Sequence, residues 1–215
     1  MILKKIGNLT DEIFINKKNI ELYSKKLNIP FFLLFFLLII EDKRFCKHFG
    51  IDLIGIFRAI IINNRSKKRK QGASTITQQI YDIKREKKKL IRDRTYRRKV
   101  KQALYSLKIE LLEEKHEILK YYLENVYLGK RYYGIENAAQ GYFGKTLDLL
   151  KKEEIFFIIE RIASPNKLLK NRVRTLLNRK IIKSSFSKYE LKNLLDLYVK
   201  FQKGELCQKN NTKLV

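Results

Sequence analysis

Phe31 to Asp52 reads FFLLFFLLIIEDKRFCKHFGID. Ten apolar residues run without interruption into an acidic pair, and then into a mixture of basic and aromatic residues. Pro30 stands just ahead of the run, where its fixed φ and missing N–H suit the first turn of a helix, so a helix is predicted over 31–44. Ten helical residues rise only about 15 Å, half the hydrocarbon thickness of a bilayer, so the run is no transmembrane helix by itself. Its end places Glu41 at the edge of a strongly apolar environment. Desolvation there is expected to raise the carboxyl pKa, with the neighbouring Lys43 and Arg44 opposing the shift. A helix-end ion pair with Arg44 is the plainer alternative for Glu41.

Outward from this segment, helix breakers are scarce. The 215 residues contain two prolines, Pro30 and Pro165, and nine glycines. Long stretches of 3.6-residue periodicity between them predict a mostly α domain. Residues 95–113 show an apolar stripe of Val100, Leu104, Leu107 and Leu111, expected to face the core. Further helices are predicted over 116–127, 134–142, 151–163, 171–183 and 188–202. The tail from Lys203 to Val215 is mostly polar and expected to fray. Apolar residues make up 45% of the chain, enough for one sizeable core.

Lys and Arg number 48 against 22 Asp and Glu, a net charge of +26. Such a bias points to an anionic partner: a nucleic acid, an anionic membrane surface or a phosphorylated substrate. Half of the excess lies between Arg65 and Lys101, with 16 basic residues against three acids. No nucleic-acid-binding motif accompanies it. Cys46 and Cys207, without metal-ligand spacing, are expected to be two free thiols. Residues 1–30 are too charged for a signal peptide, and no transmembrane anchor is recognised. The apolar residues of 31–40 and 51–62 are candidates for an interfacial contact, with Lys67–Lys70 meeting anionic lipid.

Three segments carry chemistry. They are EDKRFCKHFGID (41–52), GASTITQQ (72–79), and RTYRRKVKQ (94–102) followed by EILKYYLENVYLG (117–129) and YGIENAAQGYFGK (133–145). The hydroxyls and amides of Ser74, Thr75, Thr77, Gln78 and Gln79 suit sugar and phosphate oxygens. The same series also reads as a capped helix start, with Ser or Thr at the cap and Gln three residues on. Arg98 and Gln102, at i and i+4, share one helix face. Ser185-x-x-Lys188 has no K-T-G partner and is not a transpeptidase nucleophile.

In order and spacing these segments resemble the five motifs of the family 51 glycosyltransferases, the peptidoglycan glycosyltransferase domains of bifunctional penicillin-binding proteins and of monofunctional transglycosylases. The resemblance implies a single lysozyme-like helical domain over about 28–180. Residues 1–27 then form an N-terminal extension, and 181–215 a C-terminal helical extension and polar tail. It implies polymerisation of lipid II with release of undecaprenyl diphosphate and inversion at the anomeric carbon, at the periplasmic or outer face of the cytoplasmic membrane. The expected partners are lipid II, the growing glycan, an anionic membrane surface and a separate transpeptidase, with no nucleic acid.

Carried over position by position, Glu41 matches the catalytic base. Asp42, His48 and Asp52 also fall in the first motif, His48 as a residue that orients its loop. Ser74, Thr75, Thr77, Gln78, Gln79, Arg94, Arg98 and Lys99 match substrate-binding positions, the cations near the donor diphosphate. The resemblance allows Mg or Mn as a divalent cofactor. The chain also departs from the pattern. Gln102 stands where the family has a second glutamate, and Asp82 where it usually has a lysine, with Lys84 two residues on. Lys120 and Glu124 replace the common Glu and Asn. These departures leave open a degenerate homologue that binds lipid-linked substrate or a cell-wall partner with little turnover. On the sequence alone, Gln102 reads as a lost carboxylate whose restoration would raise the rate.

Overall fold

A computed structural model describes residues 16–66, 72–87 and 96–206. These form helices α1 (Lys17–Leu27), α2 (Phe31–Glu41), α3 (Leu53–Ser66), α4 (Ile76–Lys87), α5 (Tyr96–Leu112), α6 (Lys115–Asn125), α7 (Ile135–Phe143), α8 (Lys152–Glu160), α9 (Lys170–Leu177), α10 (Lys180–Lys183) and α11 (Lys188–Lys203). Among the described residues extended structure is confined to isolated bridges, Phe49 to Ile51 and Tyr127 to Tyr133. The protein is mostly α, as the scarcity of breakers predicts.

Two helices with uninterrupted apolar runs make the centre. Leu33 to Ile39 of α2 and Ile155 to Ile159 of α8 are buried throughout, the expected fate of a run without a polar face. They pack on each other, with the Phe36 ring edge-on to Phe156 at 5.2 Å and stacked on Phe186 at 5.4 Å. α1 covers one side of α2 and α11 covers α8. Residues on both flanks of 28–180 thus contribute to one core, through Ile20 on one side and Leu194, Tyr198 and Phe201 on the other. α11 is started by a reciprocal cap: Ser187 Oγ accepts from Glu190 N–H at 3.2 Å, and the Glu190 carboxylate accepts from Ser187 N–H at 2.7 Å.

Four sequence expectations need correction. The helix predicted over 31–44 stops at Glu41, because Asp42 leaves helical geometry and turns its carboxylate to the N-terminus of α4. The segment predicted as one helix over 171–183 is two: Arg179 takes an extended backbone between them and donates to the Ile39 carbonyl near the end of α2 at 3.1 Å. That bond satisfies a carbonyl in the last turn of a helix.

The third correction concerns α5, whose buried residues are Gln102, Ser106 and Glu110. The apolar positions Val100, Leu104 and Leu111 are exposed, the last at 75%. The polar row faces inward because partners wait there: Thr77 Oγ1 donates to Glu110 at 2.6 Å, and Lys115 Nζ lies 2.7 Å from the same carboxylate. Burial of polar groups costs little once each is hydrogen-bonded.

The fourth concerns the apolar runs. Phe31–Ile40 lies in or against the core and offers nothing to a membrane. On α3, by contrast, Leu53, Ile54, Phe57 and Ile60 are all more than half exposed. Among the described residues no helix is long and apolar enough to cross a membrane. Lys67–Lys70, Cys207 and the end of the polar tail lie outside the described residues. Cys46 is a free thiol whose pKa is raised by burial.

Candidate active site

The site forms where the C-terminal end of α2 meets the N-terminal end of α4. Asp42 makes the joint. Its carboxylate accepts the Ile76 backbone N–H at 3.0 Å, in the first turn of α4, where an anion is favoured by the free N–H groups. His48 Nε2 lies 3.0 Å from both Asp42 oxygens, which anchors the loop that follows. Arg44 does not pair with Glu41. It makes a two-pronged contact with Asp52, Nε to Oδ1 at 3.0 Å and a terminal nitrogen to Oδ2 at 2.5 Å. Burial alone would raise the Asp52 pKa, but Arg44 and the Gly55 N–H hold it below the usual range.

Glu41 therefore keeps its carboxylate for other partners. Gln79 Nε2 donates to Oε2 at 3.2 Å and Arg172 donates to Oε1 at 3.3 Å. Burial raises the Glu41 pKa, Arg172 and Gln79 pull it down, and Asp42 adds to the rise; the net shift is upward. The direction agrees with the sequence expectation. The opposing cation does not: it is Arg172, from α9, rather than Lys43 or Arg44. Gln79 is itself oriented. The Tyr122 phenol donates to its Oε1 at 2.7 Å, leaving Nε2 for Glu41. The phenol holds its proton, because burial and then the Glu41 charge push its pKa well above the ordinary value.

Behind Arg172 sits a second carboxylate. Glu160 ends α8, is fully buried, and lies 3.7 Å from Arg172 Nε. It also contacts the adjacent, equally buried Arg161, whose guanidinium lies over the rings of Phe157 and Phe201. Burial raises the Glu160 pKa against the pull of Arg161 and Arg172. Arg172, Glu160 and Tyr122 have no marked spacing from Glu41 in the sequence. Tyr122 falls in a quoted motif, while Arg172 and Glu160 carry no local signal at all.

The hydroxyl and amide series divides in two. Thr75 and Gln78 cap α4 reciprocally, at 3.1 and 3.2 Å, and Thr75 Oγ1 also donates to the Gly50 carbonyl at 2.6 Å. Gly50 has a φ of +74°, and a Cβ there would come within 2.8 Å of the Ser106 carbonyl, so the loop lies directly on α5. Thr77 is buried against Glu110. Ser74 and Gln79 are the members of the series that reach the other site residues. Ser74 Oγ accepts from Lys99 Nζ at 3.1 Å.

Across α4, α5 supplies the cations. Arg98 lies 3.4 Å from Asp82, and Lys99 Nζ lies 2.8 Å from Gln102 Oε1. Gln102 Nε2 donates to the Gln78 carbonyl and to Asp82 Oδ2, each at 3.0 Å. Arg94 falls outside the described residues. Among the described residues no three His, Cys, Asp or Glu side chains come together as a metal site. Around Gln102 the carboxylate of Asp82 already faces Arg98, and the amide oxygen faces an ammonium. That donor set does not fit a divalent cation.

A concavity of about 550 Å³ lies elsewhere, between α1, α6 and α7. It is lined by Lys26, His116, Glu136 and both fourth-motif departures, Lys120 and Glu124. It holds none of the residues of the Glu41 site.

Residues 7–186 match the family model described as Transglycosylase. The chain is 43% identical over 127 residues to penicillin-binding protein 1A of Aquifex aeolicus, covering 59% of this chain and 17% of that protein. It is 44% identical over 126 residues to penicillin-binding protein 1A of Escherichia coli, covering 59% and 14%. With penicillin-binding protein 1B of Haemophilus influenzae it shares 36% identity over 143 residues, covering 65% and 18%. The chain thus spans less than a fifth of the length of these relatives.

Proposed function

The chain belongs to the transglycosylase family, and from that premise we propose that it is a peptidoglycan glycosyltransferase polymerising lipid II. The observation that carries the proposal is the state of Glu41. Its carboxylate is desolvated, has a raised pKa, and is oriented by Gln79 and Arg172, while α5, packed on the far side of α4, carries the cations Arg98 and Lys99.

The chemistry asks for these parts. The 4-hydroxyl of one lipid II attacks the anomeric carbon of the growing lipid-linked chain. Glu41 takes the hydroxyl proton as the new C–O bond forms. The bond to the diphosphate breaks, undecaprenyl diphosphate leaves, and the anomeric configuration inverts. Arg98 and Lys99, with Arg94 beside them in sequence, stabilise the charge growing on the leaving diphosphate. The exposed apolar face of α3, with the basic run that follows it in the sequence, rests in the interface of the outer leaflet. There the lipid-linked substrate resides and a separate transpeptidase acts on the product.

The test is to incubate the purified chain with labelled lipid II in vesicles, with and without Mg²⁺ or Mn²⁺, and to size the product. Glycan polymer is expected. Binding of lipid II without polymer would favour the second reading, a homologue that has lost turnover. The observation favouring that reading is the neutral amide of Gln102.

A further inference from the structure

Gln102 is buried between α4 and α5, and its amide has one permitted orientation. Lys99 Nζ can only donate, so the oxygen must face it, at 2.8 Å. The nitrogen then faces two acceptors, the Gln78 carbonyl and Asp82 Oδ2, each at 3.0 Å. The other oxygen of Asp82 faces Arg98 at 3.4 Å. One carboxylate therefore organises two cations: Arg98 directly, and Lys99 through the Gln102 amide. Lys99 in turn reaches Ser74 Oγ at 3.1 Å.

We propose that Asp82 is the acidic positioning residue of this site, and that glutamine at 102 is its necessary partner rather than a lost carboxylate. The inference rests on the reading that Arg98 and Lys99 meet the substrate diphosphate. A carboxylate at 102 would set an acceptor against Asp82 and against the Gln78 carbonyl. Two like charges would then share one part-buried contact, the amide's donor would be gone, and the Gln78 carbonyl would lose its side-chain partner. The expected sign of Gln102→Glu is thus the reverse of the one that the sequence suggests. An amide at 102 satisfies an ammonium on one side and a carboxylate on the other without taking up a proton.

The experiment compares Gln102→Glu in two backgrounds, wild type and Asp82→Asn. The double variant exchanges amide and carboxylate between the two positions, so it keeps the net charge and reverses the polarity of the contact. kcat and KM for lipid II polymerisation are measured separately, together with the affinity for inorganic pyrophosphate by calorimetry. In the wild-type background Gln102→Glu is expected to lower kcat on the order of ten- to a hundredfold through misplaced cations. In the Asp82→Asn background the same change is expected to cost nothing or to restore rate. Pyrophosphate affinity should show the same dependence on background.

Gln102→Glu as fast as wild type, or equally harmful in both backgrounds, would overturn the proposal. Polymerisation without coupling would overturn it and leave the proposed function standing. Coupling in pyrophosphate binding without any polymer would do the opposite. A wild type that neither polymerises nor binds pyrophosphate would sink both.

Discussion

The guanidinium of Arg172 lies 3.3 Å from Oε1 of Glu41, across 131 residues of sequence, and its Nε faces the buried carboxylate of Glu160 at 3.7 Å. Arg172 thus stands between two carboxylates that end the two central helices. It sets how far desolvation can raise the Glu41 pKa. Because Glu41 is raised, the acid limb of kcat/KM in the wild type should lie above the ordinary carboxylate range. Arg172→Gln removes the principal downward pull and should move that limb to still higher pH, with Arg172→Lys shifting it less. A pH–rate profile of the three proteins checks this, and a limb that stays in place in Arg172→Gln would remove Arg172 from the account.

Glu41→Gln should lower polymerisation on the order of 10²- to 10⁴-fold, the usual contribution of a general base, with lipid II binding retained. Its effect on stability has a definite sign. A folded-state pKa above the unfolded one means that the folded protein binds more protons between the two values, so stability falls as pH rises through that window. Glutamine cannot ionise. Thermal melts should therefore show the variant more stable than wild type above the raised pKa, and the difference should vanish in acid. A variant less stable than wild type at neutral pH would contradict the desolvation argument.

Tyr122→Phe removes the donor that holds the Gln79 oxygen. The bond itself contributes about 1 kcal/mol to stability, and the larger effect should be kinetic. Gln79 is then held from one side only and can leave the position from which it donates to Glu41, so kcat should fall by about tenfold with KM little changed. Steady-state kinetics separate the two parameters, and an unaltered kcat would show that Gln79 is held by other means.

Phe57, on the exposed face of α3, and Phe36, in the core, should respond oppositely to truncation. Phe57→Ser should change stability by less than about 0.5 kcal/mol while weakening sedimentation with vesicles of anionic lipid. Phe36→Ala should cost about 3–5 kcal/mol. Raising salt should weaken vesicle binding by screening the basic residues. Vesicle binding that ignores Phe57, lipid charge and salt alike would refute the interfacial role of α3.

Much of this protein is local and therefore legible in its sequence. Scarce Pro and Gly with 3.6-residue periodicity determined a helical protein, since both signals act within a few turns of chain. The apolar run of α2 determined that Glu41 would be desolvated, because burial of the run carries its last residue with it. The Thr75–Gln78 cap was equally legible, being a three-residue pattern. Tertiary packing alone decided the rest. Val100, Leu104 and Leu111 of the α5 stripe face outward, with Leu107 half-buried, because Thr77 and Lys115, on other helices, supply partners for the inward polar row. Arg172 rather than Arg44 opposes the Glu41 shift because Asp52 claims Arg44 first. Gln102 is matched to Asp82 because α4 sets a carboxylate opposite it, 20 residues away in the chain. Periodicity reports which residues share a face of one helix. Which partner that face meets depends on distances between helices, and those exist only once the chain has folded.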